Sequence, residues 1–297
     1  MEFGELITAM VTPFDKNCNL NLEACNKLIE HLIKNGSDGI LLSGTTGESP
    51  TLTDEEKIQL FRLGVKNFSG KTKIIAGTGT YDTKHSIELS KEAEKIGVDG
   101  LLLVTPYYNK PNQSGLYKHF EAIASAVKIP IILYNVPSRT SCNMSAITCI
   151  ELSKIDNIIG VKEASSDFRQ IAEIIRGCRE DFLVYSGNDG DTLPMLSLGA
   201  YGVISVASHV VGNEIKKMVV NFKSGNVSEA ARLHNYLLDI FYGIFITTSP
   251  VPIKEALNLT GIDVGLTRPP LGKMTDDEFT TFKKILAKYN IINLMIK

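Results

Sequence analysis

Short runs of apolar, β-branched residues alternate with apolar positions at helical spacing almost from the start of the chain. The runs at residues 6–11, 39–42, 73–76, 100–104, 130–134, 158–162, 182–186 and 202–205 read as buried strands. A helical pattern follows each one. In the first, Leu22, Cys25, Leu28, Ile29, Leu32 and Ile33 share a face, and Gly36 stops the helix. Thr53-Asp54-Glu55-Glu56 spells a capping box for the second helix, hydroxyl and carboxylate each taking a free amide. One turn recurs: a helix, Gly-x-x-Gly, then a strand, with Gly36 and Gly39, Gly97 and Gly100, Gly199 and Gly202. Its first glycine suits a left-handed helix cap and its second a tight approach to the strand.

Eight such units are the count of a TIM (β/α)8 barrel, and a doubly wound open sheet is the alternative the pattern leaves. After residue 225 the strand signal ends. Residues 228–246, 253–259 and 276–289 are helical in pattern, with Pro250, Pro252, Pro269 and Pro270 breaking the connections. The expected organisation is a catalytic barrel over residues 1–224 and a helical C-terminal domain over 225–297.

Composition narrows the function by exclusion. Of the 297 residues, 43% are apolar and 22% charged, which is ordinary for a globular protein with a large core. A net charge of −2 leaves no electrostatic footprint for nucleic acid or a membrane surface. The acidic start, Met1-Glu2-Phe3-Gly4-Glu5, lacks the basic region of a secretion signal, so a cytoplasmic protein is expected. Five cysteines without a C-x-x-C pair, and histidines at 31, 85, 119, 209 and 234 without ligand spacing, indicate neither disulfides nor a metal site.

The run at 158–162 ends in a lysine. Side chains alternate along a strand, so Lys162 and Glu163 should face opposite sides. An inward Lys162 would be a desolvated amine with a lowered pKa, which is what a Schiff-base lysine needs. At the reference pKa of about 10.4, only roughly one amine in a few thousand is neutral at pH 7. The bland alternative is a lysine leaving the sheet into water.

Barrel active sites lie at the C-terminal strand ends, so the residues just after each strand matter. Ser43-Gly44-Thr45-Thr46-Gly47-Glu48 could cradle a carboxylate on its amides and hydroxyls, or be an ordinary turn. Gly77-Thr78-Gly79 does not complete a dinucleotide fingerprint, because Asp82 stands where a third glycine is needed. Thr105 to Lys110 offers Tyr107 and Tyr108. After the fifth strand, Tyr134 could carry a proton and Arg139 could grip a carboxylate. The seventh ends in Ser186-Gly187-Asn188-Asp189. An amine, phenols, hydroxyls and a guanidinium thus converge on one barrel mouth, which favours the inward Lys162.

These segments resemble, in order and spacing, the dihydrodipicolinate synthase family of pyruvate-dependent class I aldolases and lyases. The residues that carry the resemblance are Gly44 to Ser49, Ala76 to Gly79, Val104 to Asn109, Leu133 to Thr140, Gly160 to Ala164, Gly202 to Ser205 and Pro250 to Lys254. It implies that Lys162 forms a Schiff base with pyruvate, and that the resulting enamine attacks L-aspartate 4-semialdehyde, without a cofactor. Tyr134 would be the proton donor and acceptor, relaying through Thr45 to a Tyr108 supplied by a neighbouring subunit. The resemblance places pyruvate on the amides of Thr45 and Thr46 and near the Ile204 carbonyl, gives Gly187 a substrate contact, and gives Arg139 the semialdehyde carboxylate. It further implies a homo-oligomer, at least a dimer and by family habit a tetramer, acting in lysine and diaminopimelate biosynthesis.

Sister lyases share the lysine and the tyrosine, so N-acetylneuraminate lyase and keto-deoxy-sugar-acid aldolase activities are the alternatives. Arg139 carries the choice, because those families tend to lack it and a sugar acid presents hydroxyls where the semialdehyde presents a carboxylate. A non-catalytic sensor of pyruvate-like acids is the rival from another class. One departure concerns lysine inhibition, which many family members show at a subunit interface. Ser49 and Tyr107 are present there, but His85 stands at the expected glutamate and Asp54 at the expected histidine, so weak or absent lysine feedback is expected.

Overall fold

The computed structural model describes residues 2–292. Eight parallel strands close into a barrel in sequence order: β1 (Leu6–Ala9), β2 (Gly39–Leu42), β3 (Lys73–Gly77), β4 (Gly100–Val104), β5 (Ile131–Asn135), β6 (Ile158–Glu163), β7 (Leu183–Ser186) and β8 (Gly202–Ser205). The ring is completed by β1 against β8, with Leu6 opposite Val203 and Thr8 opposite Ser205. The Thr8 and Ser208 hydroxyls, 2.7 Å apart, join the two ends of this ring across 200 residues of sequence.

Helices cover the outside because each strand buries an apolar side chain on both faces. Those between the strands are Leu22–Lys34, Asp54–Phe68, Thr83–Ile96, Gln113–Ala126, the pair Pro137–Thr140 and Ala146–Leu152, Phe168–Gly177 and Thr192–Ser197. Ser208–Lys223 follows β8, and then only helices come among the described residues: Val227–Gly243, Val251–Leu259 and Asp276–Lys288. Residues 293–297 of the expected C-terminal domain lie outside the described residues. The Thr53–Glu56 capping box forms as expected, and Gly36, Gly97 and Gly199 take φ of +91°, +95° and +105°.

The core has two layers. A large one lies between strands and helices, and a smaller one inside the barrel holds Phe3, Ile7, Leu41, Ile75, Leu102, Ile132, Tyr185 and Ile204. Phe3 is fully buried, and its ring fills the space a side chain at Gly100 would need. The Tyr185 hydroxyl donates to the Gly4 carbonyl at 3.1 Å. The N-terminal end of the barrel is thereby closed, and any ligand has to approach from the other.

Strand ends differ slightly from the expectation. β1 stops at Ala9 rather than residue 11, because the Val11 amide donates to the His209 imidazole at 3.1 Å and leaves the ladder. β5 starts at Ile131, since Pro130 has no N–H to give. Among the described residues no helix is long and apolar enough to cross a membrane.

Candidate active site

Lys162 is the penultimate residue of β6 and pairs in register with Tyr134 on β5. Both face the barrel axis, and the Lys162 amine sits 4.4 Å from the centroid of the Tyr134 ring. Neighbouring Glu163 faces the helices instead, as strand alternation requires. Lys162, Tyr134, Thr45, Thr46, Arg139 and Gly187 line one cavity of about 290 Å3 at the C-terminal mouth. A second cavity of about 180 Å3 shares Thr45, Tyr134 and Arg139 and extends to Ser49 and Tyr107.

Burial decides the charge state here. Lys162 is 4% exposed, and desolvation lowers its pKa to about 8. The Asp189 carboxylate opposes that shift and the Arg139 guanidinium adds to it. Near pH 7 roughly one amine in ten is then neutral, several hundred times the unperturbed fraction. Tyr134 moves the other way. Burial pushes its phenol up to about 12, with Arg139 and the Thr45 hydroxyl offsetting part of the rise. The pair is therefore a partly free nucleophile beside a phenol that holds its proton.

The loop after β2 is built around unusual backbone. Ser43 and Glu48 take φ of +55° and +58°, and a side chain on Gly77 would meet the Ser43 carbonyl at 2.4 Å. The amides of Glu48 and Ser49 are used within the turn, whereas those of Thr45 and Thr46 bond no other described backbone group. Two adjacent N–H groups in the cavity wall are thus left without a backbone partner, which suits a small carboxylate. Arg139, on Pro137–Thr140, is exposed at the rim with no ion pair among the described residues. A guanidinium so placed is available to a ligand carboxylate.

The remaining expected residues are more spread out. Ile204 packs in the barrel interior beside Tyr134 and Tyr185 rather than lining the cavity. Tyr108 is apart from Lys162 and Tyr134: it takes φ of +69° and is 92% exposed on the loop after β4. Tyr107 packs edge-on against Tyr81, with centroids 5.2 Å apart. His85 and Asp54 do meet, Nε2 to Oδ2 at 2.7 Å.

Of three further residues at or near the site, Lys57 carried no reading from the sequence, and Asp189 and Glu163 were placed by it without a role. Asp189, just beyond β7, is buried and accepts hydrogen bonds from Ser205 and from the Val206 and Ala207 amides. It is the carboxylate that faces Lys162. Lys57 lies buried 3.5 Å from Asp54, and its place in line with Leu60, Phe61 and Gly64 on one helix face was the available signal. Glu163 is 1% exposed and held by neutral donors, with no ion pair among the described residues. Among the described residues no three metal-donor side chains converge.

Residues 2–289 match the family described as the dihydrodipicolinate synthetase family. The 4-hydroxy-tetrahydrodipicolinate synthase of Desulforamulus reducens is 50% identical over 293 residues, covering 98% of this chain and 99% of that one. A dihydrodipicolinate synthase structure from Bacillus anthracis superposes with a TM-score of 0.95 at 46% identity, covering 97% of this chain and 98% of that one. A dihydrodipicolinate synthase structure from Cyanidioschyzon merolae with lysine bound gives 0.96 at 44% identity, covering 98% and 99%.

Proposed function

The chain belongs to the dihydrodipicolinate synthetase family, and from that premise we propose how it carries out the 4-hydroxy-tetrahydrodipicolinate synthase reaction, the condensation of pyruvate with L-aspartate 4-semialdehyde. Lys162 attacks the ketone of pyruvate, and water leaves to give an imine. The imine draws electrons from the methyl group, which loses a proton to form an enamine. The enamine carbon attacks the aldehyde of the semialdehyde. The substrate's own amine then displaces Lys162, closing the product ring and returning the free enzyme.

What supports this reading is one observation: a buried amine with its pKa lowered to about 8, resting on a phenol in the barrel mouth. The free amides of Thr45 and Thr46 hold the pyruvate carboxylate, and Arg139 takes the semialdehyde carboxylate. Tyr134 keeps its proton at neutral pH and so can give it to the leaving water and later take up the methyl proton. Tyr108 joins the relay from a second copy of the chain. Its outward, almost fully exposed ring fits a contact across an interface, and the assembly is at least a dimer. Gly187, which lines the cavity, supplies a further substrate contact, and the protein works in the cytoplasm.

The test is to incubate the protein with pyruvate, reduce with borohydride and map the mass increase by peptide. An adduct on Lys162 is expected. Its rate of formation should rise about tenfold from pH 6 to 7 and level off above about 8, because only the unprotonated amine attacks. A flat profile over that range, or an adduct elsewhere, would overturn the assignment. Assaying the unreduced enzyme with pyruvate and aspartate semialdehyde, and separately with sugar acids, then separates this reaction from the sister lyases.

Lysine should not regulate this enzyme strongly. The carboxylate that meets the His85 ring in the Ser49–Tyr107–His85 cluster is Asp54, and it already has two basic partners, His85 at 2.7 Å and the Lys57 amine at 3.5 Å, while Asp82 is taken by the His85 amide at 3.1 Å. An incoming ammonium would have to displace one of them. Adding lysine to millimolar concentration is expected to leave the initial rate essentially unchanged, and strong inhibition in that assay would refute the proposal.

A further inference from the structure

The Tyr134–Lys162 pair on the inner face of β5 and β6 has a counterpart on the outer face. One residue further along, Asn135 stands opposite Glu163 in the same ladder. The Asn135 amide nitrogen lies 3.1 Å from both carboxylate oxygens of Glu163. It also donates to Asn143 at 2.8 Å, while the Asn135 oxygen accepts the Met144 amide at 2.9 Å. Glu163 further accepts the Ser165 amide at 2.8 Å and the Gln170 side chain at 3.3 Å. Among the described residues every group that hydrogen-bonds to it is a neutral donor.

An unpaired buried carboxylate is an expensive device for holding two strands together, since neutral partners offset only part of its lost hydration. The ladder explains why something is needed there. Pairing of β5 with β6 is irregular between Ile131 and Ile132: Ile131 faces Ile158, yet Ile132 faces Gly160. An extra residue in one strand breaks the regular ladder. Register above that point is therefore not inherited from the strand starts. A slip of one residue would turn Lys162 out of the cavity.

We propose that Asn135 and Glu163 form a positioning clamp that fixes β5 against β6 above this irregularity, and so sets the Lys162 amine over the Tyr134 phenol. The proposal rests on the Schiff-base reading above. The clamp touches no substrate; it acts through the two strands. The Ser165 amide extends the same hold to the loop after β6, whose Ser166 borders the cavity.

The polarity of the clamp makes it testable. Glu163→Gln places an amide against the donors of Asn135 and Ser165, and Asn135→Asp places two carboxylates together. The double variant Glu163→Gln/Asn135→Asp restores one donor facing one acceptor. The readout is exchange of pyruvate methyl hydrogens for deuterium in heavy water, which requires both imine formation and proton removal. Each single variant is expected to slow exchange by about 10- to 100-fold, the effect of a small misplacement of reacting groups, and the double variant to recover most of it. Exchange at the unaltered rate in the single variants, or a double variant no faster than the slower single one, would overturn the clamp alone. Absence of exchange in the unaltered protein would overturn the Schiff-base reading and the clamp with it. Should Glu163→Gln not fold, Asn135→Ser shortens the link without opposing charges, and the same two outcomes apply.

Discussion

Replacing Lys162 with methionine is expected to lower turnover by at least about 10^4-fold, the scale on which covalent nucleophiles fail when removed, and to abolish the borohydride adduct. Methionine keeps the length and apolar stem of the side chain while deleting the amine. The fold should survive the change. Lys162 is 4% exposed, and its lowered pKa means that burial disfavours the ammonium it would otherwise be. An apolar replacement removes that penalty, so thermal stability at neutral pH should be unchanged or higher. The sign follows from linkage: the penalty is full below the folded pKa of about 8 and is relieved as pH rises toward the unperturbed value. Residual turnover above a hundredth of the unaltered rate, in a preparation shown by mass to be free of Lys162, would remove the lysine from the chemistry.

The second large effect concerns stability. Lys254, on Val251–Leu259, reaches back to Glu48 with its amine 2.8 Å from the carboxylate, and both side chains are almost completely buried. The other Glu48 oxygen accepts the Arg268 amide at 2.9 Å. Glu48 closes the loop that carries Thr45 and Thr46, its own amide donating to the Thr45 carbonyl at 3.0 Å. Lys254→Met leaves that carboxylate buried with backbone donation only. Breaking one side of a buried pair costs about 3–5 kcal/mol. In a chain of this size that lowers Tm by roughly 5–10 °C. Adding Glu48→Gln to the same chain should recover part of the loss, because the orphaned charge is gone. Calorimetry of the two variants checks both statements, and an unaltered Tm for Lys254→Met would show that the pair contributes nothing to the fold.

Much of this architecture was legible in the sequence because its signals are local. The β-branched runs and the repeated Gly-x-x-Gly turns fixed eight strand–helix units, and Gly36, Gly97 and Gly199 adopt the left-handed caps those turns require. Alternation along one strand separated Lys162 from Glu163 correctly. What stayed hidden depends on distance along the chain. Glu48 and Lys254 are 206 residues apart, and nothing near either one announces the other. Asp189 was placed at the barrel mouth by its strand, but its role stayed hidden until β8 and the residues after it supplied Ser205 and the two amides that bury it. Lys57 was hidden for the opposite reason: its helix face was readable, but a lysine on an apolar face is normally taken to reach past it into water. Strand ends moved by a residue or two where proline or a histidine side chain, rather than the ladder, decided the pairing.

The bond from the first strand to the helix that follows the last, the Thr8 and Ser208 hydroxyls bridging 200 residues, also has a consequence for how the protein is made. At roughly 5–20 residues per second, a ribosome needs about 10–40 s to travel from one to the other. During that interval β1 carries an unpaired edge on the side that β8 will occupy, and unpaired edges invite association with other chains. Lys162 is synthesised before Asp189 and before the walls contributed by Phe241 and Ser249. Its amine is an ordinary solvated lysine while the chain is growing. The nucleophile is created late, by translation finishing, and not when its codon is read.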